Sequence, residues 1–479
     1  MALNEDCLIA ILRQLPLGER LRLEKVCLQW YTVMPYSDLR KFGLDDLAWP
    51  QRHIYEFSYD SNNLTHTQNV YSAKWFCQYV ATILRRVGDH LETLELYCRC
   101  PAKHSTSFRI FVTQELVQLI SREAPRLKRL YCQNSLIDLA AVPVLGQLCC
   151  LRVLSLPGCV YFTSSDRTIV QNAALKESLD QLINNHRALN QLNLTSCTVA
   201  PQFANQNLKR LHLMSLPLSD QDLTQVCLNC PSLESIGLTG CRQLTAFAVL
   251  AGLCNLQRLW LNATSVGNQD LALISANCTK LEHLRLDGCD RLTNLSCLRN
   301  LKQLSLLWVG YNDHFTDADL ARLSKAGKLE NLVVCSARLT DDGLRFLWRY
   351  CRNLQELNVC HTAVTDTGLC QIVLNCPRLN LLNAQATGIT NRSLIVIAQS
   401  ANALEQLYVQ SCREIDEEGF FNFYRERLIR RRNEEKLREI SITTGGHRSN
   451  PVSETVIQAL RDLDVTLIVQ RPLLALPGL

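Results

Sequence analysis

Apolar positions along the chain recur as a six-residue phrase, leucine-x-x-leucine-x-leucine or a close variant. It begins at Leu91, Leu127, Leu151, Leu189, Leu208, Leu233, Leu256, Leu281, Leu301, Leu329, Leu354, Leu379, Leu404 and Leu437. The thirteen steps run from 19 to 38 residues, and the commonest is 25. Leucines two apart, such as Leu192 and Leu194, point to one face of a strand, and Leu189 turns in from the preceding corner. Between phrases the apolar spacing becomes helical, as at Leu223, Val226 and Cys227, or Leu344 and Leu347. Those stretches, 219–229 and 340–350, open on a Ser/Thr-Asp capping signal. One strand and one helix cannot bury these leucines alone, whereas stacked copies can. The expected fold is therefore α/β: a curved solenoid with parallel strands on its concave face and helices outside.

The repeats are uneven. The steps from Leu91 and Leu151 are the longest, so loops near 98–111 and 157–175 should protrude. Residues 425–432 (RERLIRRR) predict a lengthened outer helix whose charges form a solvated face. The apolar, proline-broken tail 471–479 either caps a last strand near 465–469 or folds back into the concavity.

Cysteine usage fits the repeat. There are 23 cysteines in the chain, an odd number in a long sequence whose start carries Glu5 and Asp6 where an export signal has basic residues, so reduced thiols are expected. Cys159, Cys197, Cys241, Cys289 and Cys412 close their phrases at the ninth position. Cys230, Cys278, Cys351 and Cys376 each stand three residues before a leading leucine. The pattern, as in LEHLRLDGC at 281–289, resembles the cysteine-containing class of leucine-rich repeats. The resemblance covers about four fifths of the chain, residues 91–470, as about fourteen repeats.

Residues 3–34 do not belong to the repeat. Asn4 can cap a helix with Glu5 and Asp6 in its first turn. Cys7, Leu8, Ile11, Leu12 and Leu15 form one apolar stripe, Pro16 and Gly18 break it, and Leu23, Val26, Cys27 and Trp30 align on a second helix. So much apolar surface on a short segment needs a partner. LNEDCLIAIL at 3–12, Leu15, Leu21, Leu23 and VCLQW at 26–30 resemble the F-box, without a gap. Asn4 stands where that family usually has proline, and Arg20 where leucine is common. The resemblance implies a helical F-box domain over 1–45 that docks the Skp adaptor, and through it a cullin scaffold. Leu3, Leu8, Ile11, Leu12, Leu15, Pro16, Leu17, Leu21, Leu23, Val26 and Trp30 would make that contact. Residues 46–90 are then a linker and an irregular first repeat or cap. An F-box followed by leucine-rich repeats implies a substrate receptor of an SCF-type ubiquitin ligase, in the cytoplasm, the nucleus or both. The alternative is a leucine-rich interaction or inhibitor protein with no ligase association.

Composition narrows the remaining choices. Charged residues are 20% of the chain and the net charge is +5, too mild to imply nucleic acid. No apolar run is long enough to span a membrane. No phosphate-binding loop, dinucleotide fingerprint or nucleophile signature is present, and Cys227/Cys230 is a lone pair where zinc needs four ligands. No catalytic residue, cofactor or metal is expected, so the work is binding. The third, fifth and seventh residues of each phrase point away from the leucines. At the centre these include Arg210, His212, Arg258, Trp260, His283 and Arg285, with Asp287 the single acid. Arg and Trp carry much interface energy, so this patch is the expected target site, suited to an acidic or phosphorylated segment.

Overall fold

The computed structural model describes residues 41–43, 80–81, 83–85, 88–96, 110–163, 168–171, 173–432, 440–445, 454–462 and 465–470. The F-box-like segment, with its eleven expected adaptor contacts from Leu3 to Trp30, lies outside the described residues, as do the tail 471–479 and most of 98–111. The chain divides into two compact units, residues 1–236 and 237–479.

In the first unit the strands are β1 (Lys41–Gly43), β2 (Thr93–Glu95), β3 (Phe111–Val112), β4 (Arg129–Tyr131) and β5 (Leu136–Asp138). They continue with β6 (Val153–Ser155), β7 (Val160–Phe162), β8 (Gln191–Asn193) and β9 (Arg210–His212), and the division falls within β10 (Ser235–Gly237). β1, β2, β4, β6, β8 and β9 pair in that order, all parallel. A second parallel ladder, β3–β5–β7, stands beside it. That corrects part of the protruding-loop expectation for 157–175. Val160–Phe162 is a strand, Tyr161 and Phe162 are buried, and within 157–175 only 164–167 and 172 fall outside the described residues.

The second unit continues with β11 (Arg258–Trp260), β12 (His283–Arg285), β13 (Leu306–Trp308), β14 (Asn331–Val333) and β15 (Glu356–Asn358). β16 (Leu381–Asn383), β17 (Gln406–Tyr408), β18 (Ile440–Gly445) and β19 (Val465–Gln470) complete it. From β11 to β19 each strand pairs parallel with the next. Parallel neighbours need a crossover, supplied here by helices such as Asn268–Asn277, Asp341–Tyr350, Asp366–Asn375 and Asn391–Ser400. Each unit is thus a parallel-stranded repeat solenoid of mixed α/β class. No described helix is long and apolar enough to cross a membrane.

The core is a set of leucine ladders. Leu281, Leu284 and Leu286 are fully buried, as are their counterparts Leu256, Leu259 and Leu261 one repeat earlier. The chain then turns at the eighth position, which takes a left-handed conformation in repeat after repeat. Ser196, Ala263, Gly288, His361 and Ser411 all lie there, with φ between 54° and 63°.

That corner corrects the phrase starting at Leu301. Trp308 lies on β13, Tyr311 holds the left-handed eighth position at φ 57°, and Leu304, Leu307 and Val309 are the buried triplet. The true phrase begins at Leu304, which turns the steps of 20 and 28 residues into 23 and 25. Near the end, Ile442 rather than the fourth residue of the Leu437 phrase pairs with Leu407, a shift of two.

Both cysteine sets have structural roles. Cys230, Cys278, Cys351 and Cys376 are helix C-caps whose amides bond back to Val226, Ile274, Leu347 and Ile372. Their thiols donate to carbonyls of the preceding repeat, as Cys230 Sγ does to Asn205 O at 3.4 Å and Cys351 Sγ to Ser324 O at 3.5 Å. The ninth-position thiols do likewise: Cys289 to Leu261 O at 3.1 Å, Cys412 to Ala384 O at 3.2 Å and Cys159 to Cys132 O at 2.9 Å. A small weak donor fits a corner where a larger polar group would lack partners.

The helix Glu417–Arg432 has 16 residues, as the length of its repeat predicts, but its charges are not all solvated. Arg427 and Arg430 are buried, and Arg430 donates to Ala398 O at 2.8 Å and to Asn402 Oδ1, neutralising the C-terminal end of the helix Asn391–Ser400.

Candidate interaction face

On β11 to β15 the middle residue of each strand is buried and its neighbours are half-buried. The pleat therefore sends the third, fifth and seventh positions of each phrase to the side opposite the leucines. The strand register aligns Trp260 with Arg285 and Arg285 with Trp308. The side chains stack accordingly. The Arg285 guanidinium carbon lies 3.7 Å from the Trp308 ring centre and 5.1 Å from that of Trp260. Arg285 thus lies between two indoles, closely against Trp308 and more loosely beside Trp260, and both contacts are of cation–π type.

The surroundings are unevenly charged. Burial pulls the Arg285 guanidinium below its ordinary value, against the carboxylates of Asp287 and Glu356. Burial pushes the Asp287 carboxyl up, opposed by the Gly310 amide, its own amide and Arg285. Asp287 Oδ1 accepts from Gly310 N at 2.8 Å. Its Oδ2, Arg285 Nε, Trp308 Nε1 and Asn262 Oδ1 are buried without a hydrogen-bond partner among the described residues. His283 is held below its usual range first by burial, then by Arg258, so it is uncharged at neutral pH.

Glycine is required at position 310. A Cβ there would collide with Cys335 Sγ and stand 3.0 Å from Asp287 Oδ1. Cys335 and Cys360 occupy the seventh positions of adjacent repeats, just past β14 and β15, and share a hydrogen bond, which pulls the Cys335 thiol down and pushes that of Cys360 up.

No family model and no curated protein sequence matches the chain. Among solved structures, a crystal structure of an internalin from Listeria monocytogenes is similar at 16% identity and a TM-score of 0.46. The match covers 84% of this chain and 94% of that one. The architecture and the face stand on the strand register and the contacts given above.

Of the residues expected in the target patch, Arg258, Trp260, His283 and Arg285 come together on β11 and β12. Arg210 and His212 lie on β9 of the first unit, where burial and then Arg210 hold His212 below its usual range. Trp308 escaped the sequence because the Leu301 frame points Gln303, Ser305 and Leu307 outward instead. The overlapping frame from Leu304, with steps nearer the common 25, was the available signal.

Proposed function

We propose that this chain is a non-catalytic target receptor. Its repeat face binds a protein, and residues 3–34 dock the Skp adaptor of an SCF-type cullin ubiquitin ligase, so that the bound protein is presented for ubiquitin transfer. The observation that carries target binding is the Trp260–Arg285–Trp308 stack. A half-buried cluster of two tryptophans and an arginine is the composition in which interface energy concentrates. Solenoid surfaces of this kind serve as extended binding faces. The adaptor half rests on the ungapped F-box resemblance ending at Trp30. The chain contributes specificity, and the chemistry belongs to its partners.

Affinity purification from cells tests both halves together. Deleting residues 1–35 should abolish recovery of the Skp adaptor and cullin while targets are still captured. The double variant Trp260→Ala/Trp308→Ala should do the reverse. Recovery of targets without any cullin by the full chain would instead favour a stand-alone interaction or inhibitor protein.

A further inference from the structure

The face around the stack carries a charge pattern that specifies its occupant. Starting at β11, the third positions read Arg258, His283, Leu306, Asn331 and Glu356, and the fifth positions read Trp260, Arg285, Trp308, Val333 and Asn358. Among these positions the fixed positive charge is that of Arg258 and Arg285, because His283 is held neutral. Leu306 and Val333 follow as a half-buried apolar step. The Glu356 carboxylate on β15 then supplies a negative site. It is half-buried and belongs to none of the ion pairs among the described residues, although its charge reaches Arg285.

We propose that this face takes an extended peptide running across the strands, with an acidic side chain on Arg258 and Arg285, an apolar one on Leu306 and Val333, and a basic one on Glu356. This rests on the target-receptor reading and adds the chemistry of the target segment. β12 and β15 are three strand spacings apart, roughly 14 Å, and an extended chain covers that in about four residues. The acidic and basic residues therefore lie about four positions apart, with the apolar residue midway, about two positions from the acid.

The anion is a carboxylate rather than a phosphate. Arg285 beside the indoles can hold either anion through two parallel hydrogen bonds, so the neighbouring charges decide between them. Asp287 lies two residues beyond it, just past the end of β12, with Oδ2 buried and without a hydrogen-bond partner among the described residues. That carboxylate repels a dianionic phosphate more strongly than a singly charged side chain. Glu356 adds to the same bias.

A peptide library with one Glu held fixed and its neighbouring positions randomised, captured on the immobilised full chain, tests the pattern. The expected selection is Leu, Ile, Val or Met about two positions from the Glu and Lys or Arg about four positions from it, both on the same side. A selected peptide, labelled with fluorescein, should lose affinity by at least about threefold when its basic residue becomes Glu. The variant Glu356→Lys should reverse that preference, and Arg285→Gln should remove the preference for Glu over Gln at the fixed position. Circular dichroism identical to the parent shows that each variant is folded. Selection without a basic preference, a preference that Glu356→Lys leaves unchanged, or tighter binding of phosphoserine than of Glu would each overturn the proposal. If the library yields nothing while Trp260→Ala/Trp308→Ala still loses its cellular targets, the receptor reading stands and the peptide pattern falls.

Discussion

Replacing Gly368 with Ala should destabilise the chain, although the same change inside an ordinary helix stabilises it by about 1 kcal/mol. Gly368 is the third residue of the helix Asp366–Asn375. A methyl group there would collide with Asp341 Oδ1 and come within 3.0 Å of both Asp341 Cγ and Leu344 Cδ1. That carboxylate belongs to the preceding repeat and accepts from Thr365 N at 2.8 Å and from Thr365 Oγ1 at 2.5 Å. Displacing it weakens two charge-assisted bonds. Because they are solvent-exposed, each contributes nearer 1 kcal/mol than the 3 of a buried case. Set against the propensity gain, the net loss is about 1 kcal/mol. The assay is urea unfolding followed by circular dichroism, as a double-mutant cycle with Asp341→Ala. Without the carboxylate, the Gly368→Ala change should turn neutral or stabilising. A stabilising Gly368→Ala with Asp341 in place, or a coupling below about 0.5 kcal/mol, would refute the reasoning. Gly343 stands in the same relation to Asp317, so Gly343→Ala should behave alike.

Three further outcomes are expected. Leu284→Ala empties a fully buried site in the leucine ladder and should cost about 2–5 kcal/mol in urea unfolding; a loss under about 1 kcal/mol would contradict the packing. In native protein at pH near 8, iodoacetamide should label Cys149, Cys150 and Cys254, which are exposed. It should spare Cys230 and Cys376, whose thiols burial pushes up to about 12, and peptide mass spectrometry reads the difference. Burial pushes the Asp366 carboxyl up, but hydrogen bonds from Ser393 and Thr390 outweigh it and leave the group below its ordinary value. Its contribution to stability is therefore full above the ordinary carboxylate range and is lost as pH falls through the depressed value. The stability gap between the parent and Asp366→Asn should begin to narrow near about pH 4 and close at lower pH, below the depressed value; a gap that does not narrow as pH falls through the acid range would count against those bonds.

The repeat was legible because a strand that buries alternate leucines leaves its period in the sequence, and capped helices leave theirs between. Ser219 and Thr340 are the helix caps that their Ser/Thr-Asp signals predict. Most of what escaped had no clear period to read. Leu301 and Leu304 head overlapping phrases, both apolar; step length alone favours Leu304, and the left-handed corner at Tyr311 decides it. The strand Val160–Phe162 is too short to show alternation. Arg430 sits in a charge run, and its burial depends on a carbonyl of the previous repeat that no local pattern reveals. Arg285 could be placed on the open face from its position alone, but its stacking needed the corrected place of Trp308 on the next strand.

The claim that this chain is a ligase receptor is tested most directly by mixing the purified full chain with a purified Skp adaptor in a titration calorimeter. A saturable one-to-one complex, lost on deletion of residues 1–35 and unaffected by Trp260→Ala/Trp308→Ala, is the predicted result. Absence of binding by the full chain, or binding that survives the deletion, would contradict it.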